Sequence, residues 1–249
     1  MTTMRSPSTC PLDPANVRAY LDEFGFALCT DFPSLSPDSL IAFADSLGTK
    51  DLSIDPELSG PLIMSIRYDE IKAPNRERPA YFSHDAFPIH TDMSYVRNPP
   101  RLLFMLCVTP DAAGGGLTVL SDCQSAWEPL LARHRRELER PQFRFRHPPN
   151  TQEGEIGEVP ISEPGPVRRM WRYRIDSMTV PSSATEAVES FSEGLEEGSF
   201  QFRLRAGDLI VVDNHRMLHG RTAFDPAASP TPRHLLRTYA RERPLEGPH

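Results

Sequence analysis

Proline constrains this chain more than any other residue. There are 26 in 249 residues, about twice the usual share of roughly 5%. Each proline removes a backbone donor and fixes one dihedral, so long helices and uninterrupted central strands are excluded around them. The apolar residues accordingly fall into short runs. Arg101 to Thr109 (RLLFMLCVT) and Leu209 to Asp213 (LIVVD) read as buried core strands. Phe26 to Cys29, Pro61 to Tyr68, Leu117 to Ser121, Val167 to Asp176 and Leu235 to Ala240 read as further strands. Phe143 and Phe145 alternate with Arg144 and Arg146, and Phe200, Phe202 and Leu204 alternate with Gln201, Arg203 and Arg205, the pattern of half-exposed strands.

Helices are few and signalled locally. Asp13-Pro14 and Ser36-Pro37 each place a capping side chain before a first-turn proline, and Gly25 and Gly48 close the two helices they open. Residues 122–138 and 182–197 carry two more amphipathic patterns. This many short strands with a few flanking helices fit one mainly β domain over residues 1–249, with two sheets closed face to face as in a jelly roll. Residues 1–12 are expected to be a loose tail and 69–83 a loop. Residues 148–165, with four prolines and three glycines, are expected to form a lid.

Composition narrows the functions open to such a fold. The net charge of −7 argues against a general nucleic-acid binder. No stretch approaches the roughly 20 apolar residues of a membrane span, and Met1 to Cys10 is polar, so the expected location is cytoplasmic. The scattered cysteines Cys10, Cys29, Cys107 and Cys123 are expected to be reduced and buried. Oligomeric state leaves no readable trace.

The chemistry-bearing residues lie in two places. In Phe87-Pro-Ile-His-Thr-Asp92, His90 and Asp92 would share one face of an extended strand. Far downstream, Asn214-His-Arg-Met-Leu-His219-Gly-Arg221 offers a second histidine. Two imidazoles and one carboxylate leave half of an octahedral sphere open, the donor set of non-haem Fe(II) oxygenases.

Four segments in order carry a resemblance: His90-x-Asp92, Gly115-Gly-Leu-Thr118, Gly207-Asp-Leu through Asp213-Asn214 to His219-Gly-Arg221, and Arg233-His-Leu-Leu-Arg237. Over residues 15–241 the chain resembles the iron(II)- and 2-oxoglutarate-dependent dioxygenases of the taurine dioxygenase and clavaminate synthase-like type. The resemblance implies a double-stranded β-helix and Fe(II) on His90, Asp92 and His219. It implies a 2-oxoglutarate co-substrate whose distal carboxylate meets Arg233 and Thr118, and O2 as oxidant. It places Arg237 against an acidic group of a small-molecule substrate. Because Asp92 is present, it implies hydroxylation, not the halogenation of relatives that lack this carboxylate. The expected substrate is an amino acid or a metabolite derived from one. Desaturation, cyclisation or cleavage of a sulfonate or other acid would need no change in these motifs, and a metal- or sugar-binding jelly roll is the non-enzymatic alternative. Arg174 and Asp176, on one face of their expected strand, and His84 are further candidates for substrate contact.

Overall fold

The computed structural model describes residues 3–4, 7–50, 63–68, 83–146, 156–165, 168–228, 231 and 233–241. The expected loop 69–83, Ser83 apart, and residues 148–155 of the expected lid lie outside these.

Two antiparallel-rich sheets make the frame. The first contains β1 (Thr3–Met4), β12 (Phe200–Phe202), β7 (Thr118–Asp122), β14 (Met217–Arg221) and β5 (Phe87–His90), in that spatial order. The second contains β2 (Phe26–Cys29), β13 (Leu209–Asp213), β6 (Leu102–Thr109), β15 (His234–Arg241) and β3 (Thr49–Lys50), with β4 (Met64–Arg67) also paired to β15. Two small hairpin-like pairs complete the strands: β9 (Ser162–Pro164) with β10 (Arg169–Trp171), and β8 (Arg144–Phe145) with β11 (Met178–Thr179). This is the expected double-stranded β-helix.

The second sheet is covered on both faces, which explains its near-continuous apolar strands. Leu102, Phe104 and Leu106 of β6, Leu209 and Val211 of β13, and Leu236 and Ala240 of β15 pack with Val17 and Leu21 of α1 (Pro14–Phe24) and Leu40, Ala44 and Leu47 of α2 (Pro37–Leu47). The alternate residues, among them Leu103, Met105, Ile210, Val212, Leu235 and Tyr239, face the interior between the sheets. Both helices start as their sequences require. The Asp13 carboxylate accepts from the N–H groups of Ala15 and Asn16, and the Ser36 hydroxyl accepts from that of Ser39. Gly25 ends α1 in the left-handed region at φ 78°.

Several local readings need correction. Residues 122–138 form two helices, α3 (Cys123–Trp127) and α4 (Ala132–Leu138), because Pro129 cannot continue the first. The long strand expected over 167–176 stops at Trp171, and a turn follows at 175–177. There the Tyr173 N–H donates to the Thr91 hydroxyl and its carbonyl accepts from the Thr91 N–H, so a side chain replaces a ladder partner. Within the expected tail, Cys10 is buried and its N–H donates to Leu28 O. Within the expected lid, Ile161 and Ser162 are fully buried, because β9 is paired to β10. The fifth helix, α5 (Thr185–Glu197), buries Ala187, Val188, Phe191 and Leu195 as its pattern predicts.

Two contacts fix β14. A Cβ on Gly220 would lie 2.6 Å from Phe87 O and 3.0 Å from the Ile89 nitrogen, so only glycine lets β5 approach this closely. At the turn before β14, the buried Asp213 carboxylate accepts from Arg101 Nε and Arg168 Nη1, both at 3.1 Å. Gly220→Ala is expected to lose about 1–3 kcal/mol, since backbone must move to admit the methyl. Asp213→Asn removes the buried counter-charge that Arg101 and Arg168 share, leaving them the exposed Asp22, and is expected to lose about 2 kcal/mol. Chemical denaturation of both variants checks these values; wild-type midpoints would show that neither contact matters to the fold.

Candidate active site

The interior end of the sheets gathers the chemistry-bearing residues. His219 of β14 lies directly opposite His90 of β5 in the strand register, and their rings are 4.4 Å apart. Asp92 is not on a strand. β5 ends at His90, and the chain turns so that Met93 takes a left-handed φ of 54°. The turn still brings Asp92 Oδ1 to 3.2 Å from His90 Nε2 and Oδ2 to 3.4 Å from His219 Nε2. The ligand atoms of His90, Asp92 and His219 all lie within 4.8 Å of one another, and all three residues are buried.

Their surroundings suit a metal. His90 Nδ1 lies 3.0 Å from Pro88 O, which as its acceptor fixes the proton there and leaves Nε2 as the donor atom facing Asp92 and His219. Burial, with the adjacent His219, pushes the His90 imidazole down to about 4, so it is neutral at pH 7. Burial pushes the Asp92 carboxyl up, but Arg237 and the two histidines outweigh it and hold it well below the usual range. Two converging imidazoles and one ionised carboxylate fit Fe(II). The Phe87 ring stacks on His90 at 4.2 Å, and the Arg174 guanidinium lies over the Phe87 ring at 5.3 Å.

Beside the triad is a cavity lined by Ile66, Met105, Thr118, Arg221, Arg233 and Arg237, among others. Strand alternation on β15 and the residue before it points Arg233, Leu235 and Arg237 inward together. Arg233 is buried and has no ion-pair partner among the described residues, and burial pushes its guanidinium down to about 10. Gly116, at φ 61°, makes its room: a Cβ there would lie 2.8 Å from Arg233 Cδ. The Thr118 hydroxyl is buried with no hydrogen-bond partner among the described residues, and Thr118 is registered opposite Arg221. Arg221 donates to Ser83 O and Asp85 O at 2.8 and 2.7 Å and stacks over Phe224. A buried guanidinium and hydroxyl beside an open donor set form a cradle for a small dianion that also reaches a metal.

The remaining candidates divide. Arg237 Nη1 donates to Asp92 Oδ2 at 2.8 Å and Nη2 to Met64 Sδ, so it already serves the triad. Arg174 and Asp176 are joined to each other at 3.2 Å, not displayed along a strand. His84 is half exposed beside Asp85 and Tyr68 and is not among the residues lining the cavity. Tyr239 and Phe87 are the site residues without a motif. The Tyr239 hydroxyl donates to Asp92 Oδ2 at 3.0 Å. Its position two residues after Arg237, on the same strand face, was the signal available for it.

Comparison with known proteins agrees with this arrangement. The chain is 31% identical over 198 residues to the L-asparagine oxygenase of Streptomyces coelicolor, covering 74% of this chain and 55% of that protein. It is 28% identical over 203 residues to the tyrosine isonitrile desaturase of Pseudomonas aeruginosa, covering 68% and 64%. The chain thus spans little more than half the length of the first of these relatives. Among solved structures, asparagine oxygenase superimposes with a TM-score of 0.76 at 18% identity, over 92% of this chain and 78% of that one. The non-heme iron oxygenase OrfP in complex with Fe and alpha-ketoglutaric acid superimposes with a TM-score of 0.73 at 18% identity, over 92% and 80%. The sequence profile of the taurine catabolism dioxygenase TauD, TfdA family matches residues 6–239, and the chain belongs to that family.

Proposed function

We propose that the protein is an Fe(II)- and 2-oxoglutarate-dependent oxygenase that hydroxylates an unactivated C–H bond of a small carboxylate-bearing metabolite, an amino acid or a derivative of one. The observation that carries this reading is a buried His90–Asp92–His219 group sharing a cavity with a buried guanidinium, Arg233, that has no ion-pair partner among the described residues. A barrel that only bound a metal or a sugar would have no use for that cation.

In this reading His90, Asp92 and His219 hold the iron, and Arg233 with the Thr118 hydroxyl holds the distal carboxylate of 2-oxoglutarate. The bound pair supplies O2 activation, coupled to conversion of 2-oxoglutarate to succinate and CO2. The protein's part is orientation and exclusion of water. Neutral His90 and ionised Asp92 present their lone pairs without first losing protons. Ile66, Met105 and Leu235 line the cavity with apolar surface. Arg237 is assigned to the substrate's carboxylate: a thioether is a weak acceptor, so a carboxylate displaces Met64 Sδ while Nη1 stays on Asp92. Arg174 and Asp176 are assigned to further polar contacts at the Phe87 side of the triad. His84, outside the cavity lining, is given no part.

The substrate class is supported by the relatives named for L-asparagine and for tyrosine isonitrile, both amino acids or derivatives. The second of these is a desaturase, which favours desaturation as the alternative outcome at the same site. Hydroxylation adds one oxygen to the product mass, whereas desaturation removes two hydrogens. Among the described residues no helix is long and apolar enough to cross a membrane. Four buried thiols, none in a disulfide, accord with a reducing cytoplasm.

Anaerobic addition of Fe(II) and 2-oxoglutarate is expected to give a weak visible charge-transfer band, absent in His219→Ala. In air, screening of amino acids and related acids is expected to find succinate release. No band and no succinate with any acid would end the enzymatic reading. Arg233→Lys keeps the charge but loses the paired geometry, and should raise the KM for 2-oxoglutarate by about 10–100-fold, the worth of one or two charge-assisted hydrogen bonds. Arg237→Ala should weaken binding of the acid found in the screen by a similar factor. Unchanged affinity would remove Arg237 from the substrate site.

A further inference from the structure

We infer that Asn214 is a positioning residue whose side-chain amide clamps the backbone of Asp92 and so holds its carboxylate against His90 and His219. The inference rests on the reading of that triad as a metal site.

The need for a clamp is visible in the backbone. Strand pairing secures His90 but ends there, so Asp92 has no ladder of its own. The next residue, Met93, sits at φ 54° without being glycine, a conformation that costs about 1–3 kcal/mol and persists only where the surroundings enforce it. The peptide between Asp92 and Met93 joins that φ to the ψ of Asp92, so the two residues can shift only together.

Asn214 grips this residue on both sides. Its Oδ1 accepts from the Asp92 N–H at 2.9 Å, and its Nδ2 donates to Asp92 O at 3.0 Å and to Pro100 O at 3.0 Å. One acceptor and two donors on a rigid planar group are what an asparagine side chain offers, and no other side chain of its length does. Only one orientation of the amide satisfies all three contacts. Asn214 is itself fixed, because it is 1% exposed and its own N–H donates to Arg101 O at 2.7 Å. On the far side, the Thr91 hydroxyl donates to Trp171 O and the Thr91 N–H to Tyr173 O, so the segment cannot slide away from the clamp.

The position of Asn214 gives the contact its consequence. It lies in the turn that launches β14, the strand that carries His219. One short turn therefore sets both the third ligand and the backbone of the second, which are far apart in the chain. Loss of the clamp frees Met93 to relax from the left-handed region and swings the Asp92 carboxylate off the two histidines. Fold stability is affected as well, but the effect particular to positioning is on the donor geometry.

Co(II), which reports its coordination through visible absorption, is the probe. Wild type, His219→Ala, Asn214→Ala and Asn214→Asp are titrated at 10 °C, with far-UV circular dichroism confirming each fold. Asn214→Asp preserves shape and the acceptor for the Asp92 N–H but loses both donors, and it answers the question if the alanine variant does not fold. Folded Asn214 variants are expected to bind Co(II) about 10–100-fold more weakly, the usual effect of losing an outer partner of a ligand. Their ligand-field bands should also change. A folded variant with lowered Tm but wild-type Co(II) affinity and spectrum would show a merely structural asparagine and overturn the inference. Wild type that fails to bind Co(II), or His219→Ala that binds it equally well, overturns the metal reading itself, and that is read before any Asn214 variant.

Discussion

The arrangement turns on buried positive charge. The described lining of the interior cavity includes three guanidiniums, Arg221, Arg233 and Arg237, and no carboxylate. A buried cation is costly unless its donors are satisfied. Arg237 is paired with Asp92, and Arg221 donates to two backbone carbonyls and lies over the Phe224 ring. Burial and the neighbouring Arg233 push Arg221 down to about 10, so it still carries its charge at pH 7. What is left over is the charge of Arg233, at the end of the cavity where the Thr118 hydroxyl also lacks an acceptor among the described residues. A buried charge so placed is suited to an anion.

The β architecture makes this placement affordable in structural terms. β15 belongs to a sheet whose outer face is sealed by α1 and α2 through Leu236 and Ala240. With one face committed to the helices, strand alternation sends Leu235, Arg237 and Tyr239 to the interior as a set. A register slip of one residue would exchange the arginine for a leucine and destroy both the core and the site. The charged row and the apolar row therefore protect each other's register. On the opposite sheet, Gly220 performs the corresponding service by letting β5 close against β14, which is what brings His90 opposite His219.

Much of this was legible in the sequence, and two of the omissions have a common cause. Caps at Asp13 and Ser36, the apolar runs of β6 and β13, and the interior face of β15 follow from local chemistry. So does the grouping of His90, Asp92 and His219, once the ordered motifs are set side by side. In two of the misread features a side chain takes over a backbone partner. Asp92 was expected on a strand but lies in a turn held by Asn214, and the strand expected through Asp176 stops where Thr91 takes the hydrogen bonds of Tyr173. Such substitutions have no periodicity and become visible only when distant segments meet. The break at Pro129 is different, because the proline was there to be read.

Arg237 shows how far a motif can specify a role. Its place four residues after Arg233 makes it face the same interior, and from that alone a substrate acid is a reasonable partner. The coordinates add a second demand, since one of its nitrogens already supports Asp92 together with the Tyr239 hydroxyl. A lysine would meet both less well, because its ammonium is a compact point charge without the fixed, separate edges of a guanidinium. A guanidinium offers separate edges, so the same residue can orient a metal ligand and still present donors to an acid in the cavity. Arginine at this position is then explained by geometry as well as charge.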